Sequence, residues 1–379
     1  MRRTIFEPEH EQLRETAHAF FVKYAVPHRD EWEAQGHVGR EIWQQAGAHG
    51  LLGLEIPAEY GGPGVHDYRF NAVIIEEATR TRAGVALTLQ NEIIAPYVVS
   101  LGTEEQKRRW LPGLVTGETL GAIAMSEPGA GSDLAGIRTS ARRDGDDWII
   151  DGSKTFISGG YLADFVIVVA RTDPDVGHKG FTLLVVEDGM PGFERGNKLD
   201  KIGQRTSDTM ELFFSGVRVP DRNRLGEVGG GFYALMRNLP QERMAIAVGG
   251  LANAERAFEI TLEYAKTRTA FGQPIGTFQV NRHALSEMHT KLQVARTYLD
   301  QCMLGVTSGE LSAEDAAGAK WWTTELEWEV VDRCMQLFGG YGYINEYEIA
   351  GIWRDARIQR LYGGTTEIMK DLVGRKLGL

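Results

Sequence analysis

Apolar side chains recur at helical spacing through the first third of the chain. Between Glu9 and Tyr24, Leu13, Ala17, Phe20 and Phe21 would share one face of a helix. The period continues from Glu41 to Leu51, then stops at Pro57 and Gly61-Gly62-Pro63-Gly64. Phe70 to Arg82 and Glu104 to Leu114 are further helices; Thr103 can cap the latter, because its hydroxyl accepts from a free backbone N–H. Near Leu120 the character changes. Trp148 to Ser158 reads as a hairpin turning at Asp151-Gly152. Phe165 to Ala170, Phe181 to Val186 and Met210 to Phe214 are short β-rich runs bounded by Gly, Pro or Asp, an interval that suits a small β-barrel or sandwich. From Gly231 the helical period returns, over Phe232–Asn238, Met244–Thr267, Gln279–Ser308, Ala313–Phe338 and Ile349–Leu361, lengths that pack as a bundle. The pattern predicts an α+β chain, mainly α, with an all-α domain over 1–120, a β domain over 121–228 and a helical bundle over 229–379.

Composition narrows the function classes. The 379 residues suffice for two or three domains with a large core, and 42% hydrophobic with 25% charged residues is a soluble, globular balance. No apolar run is long enough to span a membrane. The opening Met1–Glu7 stretch has two arginines but no apolar core, unlike a secretory signal. A bacterial cytoplasm is therefore the expected location, and a processed organelle protein would look the same. A net charge of −11 disfavours nucleic acid, though not a small phosphorylated ligand held by local arginines. Cys302 and Cys334 are too few for a disulfide framework and read as packing residues. No metal site is expected.

Several segments carry candidate chemistry. In Glu127-Pro128-Gly129-Ala130-Gly131-Ser132 the glycines let backbone amides approach an anion or a ring carbonyl, although the same residues also make an ordinary turn. No Lys-Ser/Thr follows, as a phosphate loop requires, and no βαβ unit surrounds it, as a dinucleotide fingerprint requires. In Phe156-Ile157-Ser158 the aromatic sits in a strand, where such a side chain is more often core than a cofactor contact. Arg268, before Phe271-Gly272-Gln273-Pro274-Ile275, suits a helix C-terminus, and Gln336-Leu337-Phe338-Gly339-Gly340 reads as a helix stop. Leu239-Pro240-Gln241-Glu242-Arg243 opens a helix, where a glutamate suits the dipole. Gly363-Gly364-Thr365-Thr366-Glu367 makes a further polar turn.

The order and spacing of these blocks along nearly the whole chain resemble the acyl-CoA dehydrogenase family of flavoenzymes. The resemblance implies a helical N-terminal domain, a small central β-barrel domain and a C-terminal four-helix bundle. It implies FAD as cofactor. Ile123, Met125, Ser126, Gly131 and Ser132 would form the flavin loop, with Ser132 at the end facing acyl-CoA. Phe156, Ile157 and Ser158 would lie against the flavin ring, Phe156 replacing the usual Trp and losing its N–H. Arg268 would meet the pyrophosphate, near Phe271, Phe278 and Gln279. Gln336, Leu337, Gly339 and Gly340 would reach a neighbouring subunit's flavin, which implies a homo-oligomer, a dimer of dimers by family habit. Thr365, Thr366 and Glu367 would lie at the adenosine side.

One position departs from the commonest pattern: Gly363 stands where many members carry the glutamate base. A minority, including isovaleryl- and long-chain acyl-CoA dehydrogenases, place the base on a helix immediately before an arginine, as Glu242-Arg243 would. The Pro-Gln-Glu-Arg and Gly-Gly-Thr-Thr-Glu-Ile-Met-Lys segments look most like the long-chain branch. Glu367 lies four residues past the usual base position and is set aside. Gln241, Arg243, Ser132 and Gly364 would face substrate. The implied reaction is α,β-dehydrogenation of an acyl-CoA to the trans-2-enoyl-CoA. Glu242 removes the pro-R α-proton, and the β-hydrogen leaves as hydride to flavin N5. The Gly363 N–H and a ribityl hydroxyl would stabilise the enolate. Desolvation should raise the Glu242 pKa towards neutrality. Electrons would pass to an electron-transfer flavoprotein. Chain-length preference would depend on residues around Thr88–Ile94 and Pro240–Ala247. The competing readings are an acyl-carrier-protein dehydrogenase, a flavin monooxygenase on the same scaffold, and a non-catalytic helical scaffold.

Overall fold

Six α-helices precede the first strand: α1 (Pro8–Phe20), α2 (Arg29–Gln35), α3 (Glu41–Ala48), α4 (Tyr68–Arg80), α5 (Ala95–Leu101) and α6 (Glu104–Thr116). They belong to a computed structural model that describes residues 3–379; Met1 and Arg2 of the opening stretch lie outside the described residues. Thr103 caps α6 as expected. Its hydroxyl accepts from the Gln106 N–H at 3.3 Å while Gln106 Oε1 accepts from the Thr103 N–H at 2.9 Å. The π-helix Leu89–Ile94 running into α5 was not expected. Gln90, Asn91 and Glu92 are all buried there and interrupt the apolar period. Gln90 is satisfied by both backbone groups of Gly121, and Asn91 by Leu51 O and Gly53 N–H.

The middle of the chain supplies β1 (Gly121–Ala124), β2 (Ser140–Asp144), β3 (Asp147–Ser158), β4 (Phe165–Arg171), β5 (Phe181–Glu187), β6 (Phe193–Lys198), β7 (Thr209–Pro220) and β8 (Arg224–Leu225). They form one eight-stranded sheet in the order β6-β7-β3-β2-β4-β5-β8, with β1 parallel to β4. β2 and β4 meet through a single pair, Ser140 and Arg171. The unbroken apolar run of β4 serves two cores. Val166, Val168 and Ala170 pack inside the sheet with Trp148, Ile150 and Val217. Phe165, Ile167 and Val169 pack outward against Tyr97, Trp110 and Leu111 of α5 and α6.

The expected hairpin turn at Asp151-Gly152 is corrected by the structure. β3 runs straight through it, with a bulge between Ile150 and Gly152. The chain reverses earlier, at Gly145 between β2 and β3. Gly152 is required for a different reason: its φ is +150°, and a Cβ there would lie 2.5 Å from Thr139 Oγ1.

The last part holds α7 (Gly231–Thr267), the two-residue strands β9 (Thr269–Ala270) and β10 (Gln273–Pro274), then α8 (Gln279–Ser308), α9 (Ala313–Phe338), α10 (Glu348–Ala356) and α11 (Thr366–Lys376). The two helices expected on either side of Pro240 are one helix of 37 residues. A proline removes one hydrogen bond and costs about 3 kcal/mol in a helix interior. Burial of Leu239, Met244, Val248 and Leu251 on the two sides of Pro240 outweighs that loss. Glu242 consequently lies inside α7 rather than in a first turn. Helices α7, α8 and α9 share one apolar core with α4 and α10, including Ile75, Met288, Leu292, Val330 and Ile352. Cys302 and Cys334 are free and buried, consistent with packing roles.

Candidate active site

Glu242 is 6% exposed and carries the clearest electrostatic signature on α7. Burial raises its carboxyl from 4.5 to about 7, against the opposing pull of a hydrogen bond from Tyr97 and the charge of Arg243. The Tyr97 hydroxyl donates to Glu242 Oε1 at 3.3 Å. Tyr97 is itself fully buried and sits in the same apolar cluster as Ile123 and Met125. The base candidate and the start of the glycine turn therefore border one core.

Gly363 faces the same stretch of α7. Its carbonyl accepts from Arg243 Nε at 3.4 Å, and a Cβ there would meet Ile246 Cδ1 at 2.3 Å. Ile246 is one helical turn past Glu242, so both base positions point at one side of α7. Gly363 has a φ of +64°, and its N–H donates to no backbone carbonyl among the described residues. Gly364 O accepts from the fully buried Lys320 Nζ at 2.8 Å. Burial lowers Lys320 to about 8, and the neighbouring Arg243 charge acts in the same direction. Gln241 turns away from Glu242. Its Nε2 donates to Glu55 Oε1 and Glu92 Oε2, both at 3.1 Å.

The glycine turn is clamped from beneath. Glu127 accepts from the Arg138 and Thr139 N–H groups at 2.7 and 2.9 Å, and from the buried Lys154 Nζ at 2.9 Å. Lys154 also donates to Met125 O, and the Thr155 N–H donates to Ser126 O at 3.0 Å. These bonds join the turn to the end of β3, where a bulge turns Phe156 outward at a φ of +60° with 69% of its surface exposed. Ser158 is exposed beside it, whereas Ile157 packs into the sheet core. An exposed aromatic held in a sparsely populated conformation is backbone strain retained by its surroundings. At Gly131 a Cβ would meet nothing within 4 Å, so this exposed turn and Ser132 leave room for a ligand. A flat apolar ring, adjacent hydroxyls and open glycine amides fit an isoalloxazine ring.

A second patch joins Arg268 to Gln336, Leu337, Gly339 and Gly340 around a cavity of about 520 Å³. The Arg268 guanidinium lies 5.5 Å from the Tyr341 ring centroid. Phe271 is 95% exposed at a φ of +53° on the β9–β10 turn and meets Phe278 edge to face, with Gln279 exposed next to it. A guanidinium with no carboxylate ion-pair partner among the described residues, beside a cavity, suits a pyrophosphate. At the remaining turn the Thr365 hydroxyl caps α11, and the Thr366 hydroxyl donates to Glu325 Oε1 at 2.7 Å. Glu367 is fully exposed with its pKa lowered by hydrogen bonds to its own backbone and Thr365, the opposite of what a general base needs.

Sequence reasoning missed Tyr97, Lys154, Lys320 and Glu92. Tyr97 and Glu92 lie on the helical stretch whose buried polar residues hid its period. Glu127 was in view within the glycine turn, but nothing in the sequence announced its contact with Lys154 on β3.

Family models for the acyl-CoA dehydrogenase N-terminal, middle and C-terminal domains match residues 7–118, 122–217 and 229–378. A mitochondrial long-chain specific acyl-CoA dehydrogenase of Sus scrofa is 45% identical over 377 residues, covering 99% of this chain and 88% of that protein. A crystal structure of an acyl-CoA dehydrogenase from Geobacillus kaustophilus superposes with a TM-score of 0.97 at 44% identity, covering 99% of both chains. A glutaryl-CoA dehydrogenase from Mycobacterium smegmatis, solved in complex with FADH2, superposes with a TM-score of 0.92 at 27% identity, covering 98% of this chain and 95% of that one. With three domain models spanning nearly its whole length, this chain belongs to the acyl-CoA dehydrogenase family.

Proposed function

We propose that this chain is an FAD-dependent acyl-CoA dehydrogenase that forms the trans-2-enoyl-CoA with Glu242 as its base. The observation that carries the reading is a buried carboxyl raised to about 7, beside a glycine where the commoner base would stand. A general base works best when its pKa lies near the operating pH. Tyr97 occupies Oε1, which leaves Oε2 to take the α-proton. Arg243 ties α7 to the Gly363 carbonyl and so holds the turn whose N–H can donate to the thioester oxygen. As negative charge grows on that oxygen, the N–H bond strengthens, which lets a carboxylate remove a weakly acidic α-proton.

Residues Met125, Ser126, Gly131, Ser132, Phe156 and Ser158 would hold the flavin ring. Arg268, Gln336 and Gly340 would hold the phosphates of a flavin belonging to a second copy. Phe271 and Tyr343, 95% and 85% exposed, support such a partner, since exposed apolar surface can mark an interface. FAD, when bound, supplies the two-electron acceptor for the β-hydrogen. The active form is accordingly a homo-oligomer, a dimer of dimers, and it passes electrons to an electron-transfer flavoprotein. The three-part division at residues 120 and 228 is proposed with it.

Anaerobic titration with acyl-CoAs of graded length tests the reading. Bleaching of a yellow protein by one chain-length class is expected. A yellow protein bleached only by acyl-carrier protein, or one that forms an oxygen adduct instead, would overturn it.

A further inference from the structure

A lysine is almost never fully buried without an ionic partner. Lys320 of α9 is 0% exposed and forms no ion pair among the described residues. Its hydrogen bond goes to Gly364 O at 2.8 Å. Glu325 and Glu327 of α9 and Glu367 of α11 favour its charge from beyond ion-pair distance, whereas burial and Arg243 of α7 oppose it. A cation kept under these conditions points to the carbonyl it holds.

That carbonyl belongs to a turn with little structure of its own. Gly363 and Gly364 have φ values of +64° and +97°, and neither N–H donates to a backbone carbonyl among the described residues. Two glycines in succession leave the backbone free to rotate. Side chains from the neighbouring helices supply what the turn lacks. Lys320 holds Gly364 O, and Arg243 reaches Gly363 O at 3.4 Å. One and a half helical turns along α9, Glu325 Oε1 accepts from Arg360 Nε and from the Thr366 hydroxyl, both at 2.7 Å. Arg360 and Thr366 bracket the two glycines in the chain. Helix α9 therefore grips the turn at its centre and on both flanks. The Gly363 N–H is the donor to the thioester oxygen in the proposed reaction, and such a donor works best when its direction is fixed before charge develops.

We propose that Lys320 and Glu325 are positioning residues for the dehydrogenation: they hold the Gly363–Gly364 turn against α9 and so aim the Gly363 N–H at the thioester oxygen. Lys320 has the larger share, because it holds the residue next to the donor. Glu325 acts through the two flanks. What the pair fixes is the direction of one donor, which matters most once the oxygen carries negative charge. Loss of Lys320 therefore weakens stabilisation of the enolate far more than binding of the uncharged acyl thioester.

This inference rests on the acyl-CoA dehydrogenase reading, and the test separates the two. The probe is a 3-ketoacyl-CoA, whose α-carbon ionises to an enolate without any hydride transfer. Its apparent pKa on the purified flavoprotein is read by spectrophotometric titration, with flavin content and the kcat and KM of a plain acyl-CoA measured in parallel. Titration of Glu242 is common to native and variant protein, so the difference between them reports the turn. Lys320→Met keeps most of the side chain and deletes its donor. It should raise the probe's pKa by about one pKa unit and lower kcat about tenfold, with KM and flavin content near native. Lys320→Gln keeps a donor and should recover most of both. Glu325→Leu, at a partly exposed position, should move the probe the same way by about threefold in its ionisation constant. It decides the question if Lys320→Met does not fold. An unchanged probe pKa in a folded Met or Leu variant would overturn the proposal. Equal losses in Lys320→Met and Lys320→Gln would do the same, since charge or packing would then be the cause. With native turnover intact, these results leave the dehydrogenase reading standing. A native protein that neither ionises the probe nor oxidises any acyl-CoA would overturn both.

Discussion

Replacing Tyr97 by Phe removes one hydroxyl and leaves the ring that fills the core between α5 and α7. The hydroxyl donates to Glu242 Oε1 at 3.3 Å and stabilises the carboxylate form. Hydrogen bonds to charged groups contribute about 1.5–3 kcal/mol. At 3.3 Å this bond is longer than the usual O–H···O range, so the low end applies. That is about one pKa unit. The base, held at about 7 in the native protein, should then titrate near 8 in Tyr97→Phe by the same conversion. Because the base must be ionised to act, the acid limb of the kcat/KM profile should move up by that amount. At pH 6.5 the variant should lose roughly eightfold, and at pH 9 it should match the native enzyme to within about a tenth. The assay is the pH dependence of kcat/KM with an artificial electron acceptor, with flavin content measured in parallel. An unchanged midpoint with a uniform loss at every pH would refute the reasoning and leave Tyr97 a packing residue.

Three further outcomes follow from the same geometry. A carboxyl raised from 4.5 to about 7 binds its proton more tightly in the folded chain. Its stabilising contribution is therefore full below pH 4.5 and lost as pH rises through 7, a difference of about 3 kcal/mol. Glu242→Gln should thus unfold at higher urea concentration than the native chain at pH 8 but not at pH 4, and equal midpoints at both would contradict this. Lys154→Met leaves Glu127 buried without its cation, though still bonded to two backbone N–H groups. It should cost about 3 kcal/mol, visible in the melting temperature, and reduce flavin content; unchanged flavin content would show that the turn does not need the clamp. Gly363→Glu cannot simply replace the base, because Ile246 Cδ1 fills the space at 2.3 Å and the φ is +64°. In a Glu242→Gln background it should stay inactive until Ile246→Ala is added, and activity without that change would show that Ile246 yields easily.

Much of the architecture was legible because local and tertiary preferences agree. The helices α8, ending at a left-handed Gly309, and α9, opening at the Ser312 cap, both have the bounds expected. The misreadings share a physical cause, a local signal overruled by burial. Pro240 should end a helix, but apolar contacts on either side of it carry α7 through. Asp151-Gly152 should turn a hairpin, but close approach of Thr139 uses the glycine within a strand. Gln90, Asn91 and Glu92 look like surface and are buried. At the site, Glu242 was legible because Gly363 left a function to be filled. Tyr97 and Glu92 were not, since their partners lie about 150 residues away, at Glu242 and Gln241.

The most direct measurement is anaerobic rapid mixing of native protein and Glu242→Gln with an acyl-CoA that bleaches the native flavin. Both should carry flavin and bind the ligand, while reduction in the variant should be slower by about a hundredfold or more. A variant that retains its flavin and reduces at nearly the native rate would show that the α-proton goes elsewhere, and the account of Glu242 as the base would fall.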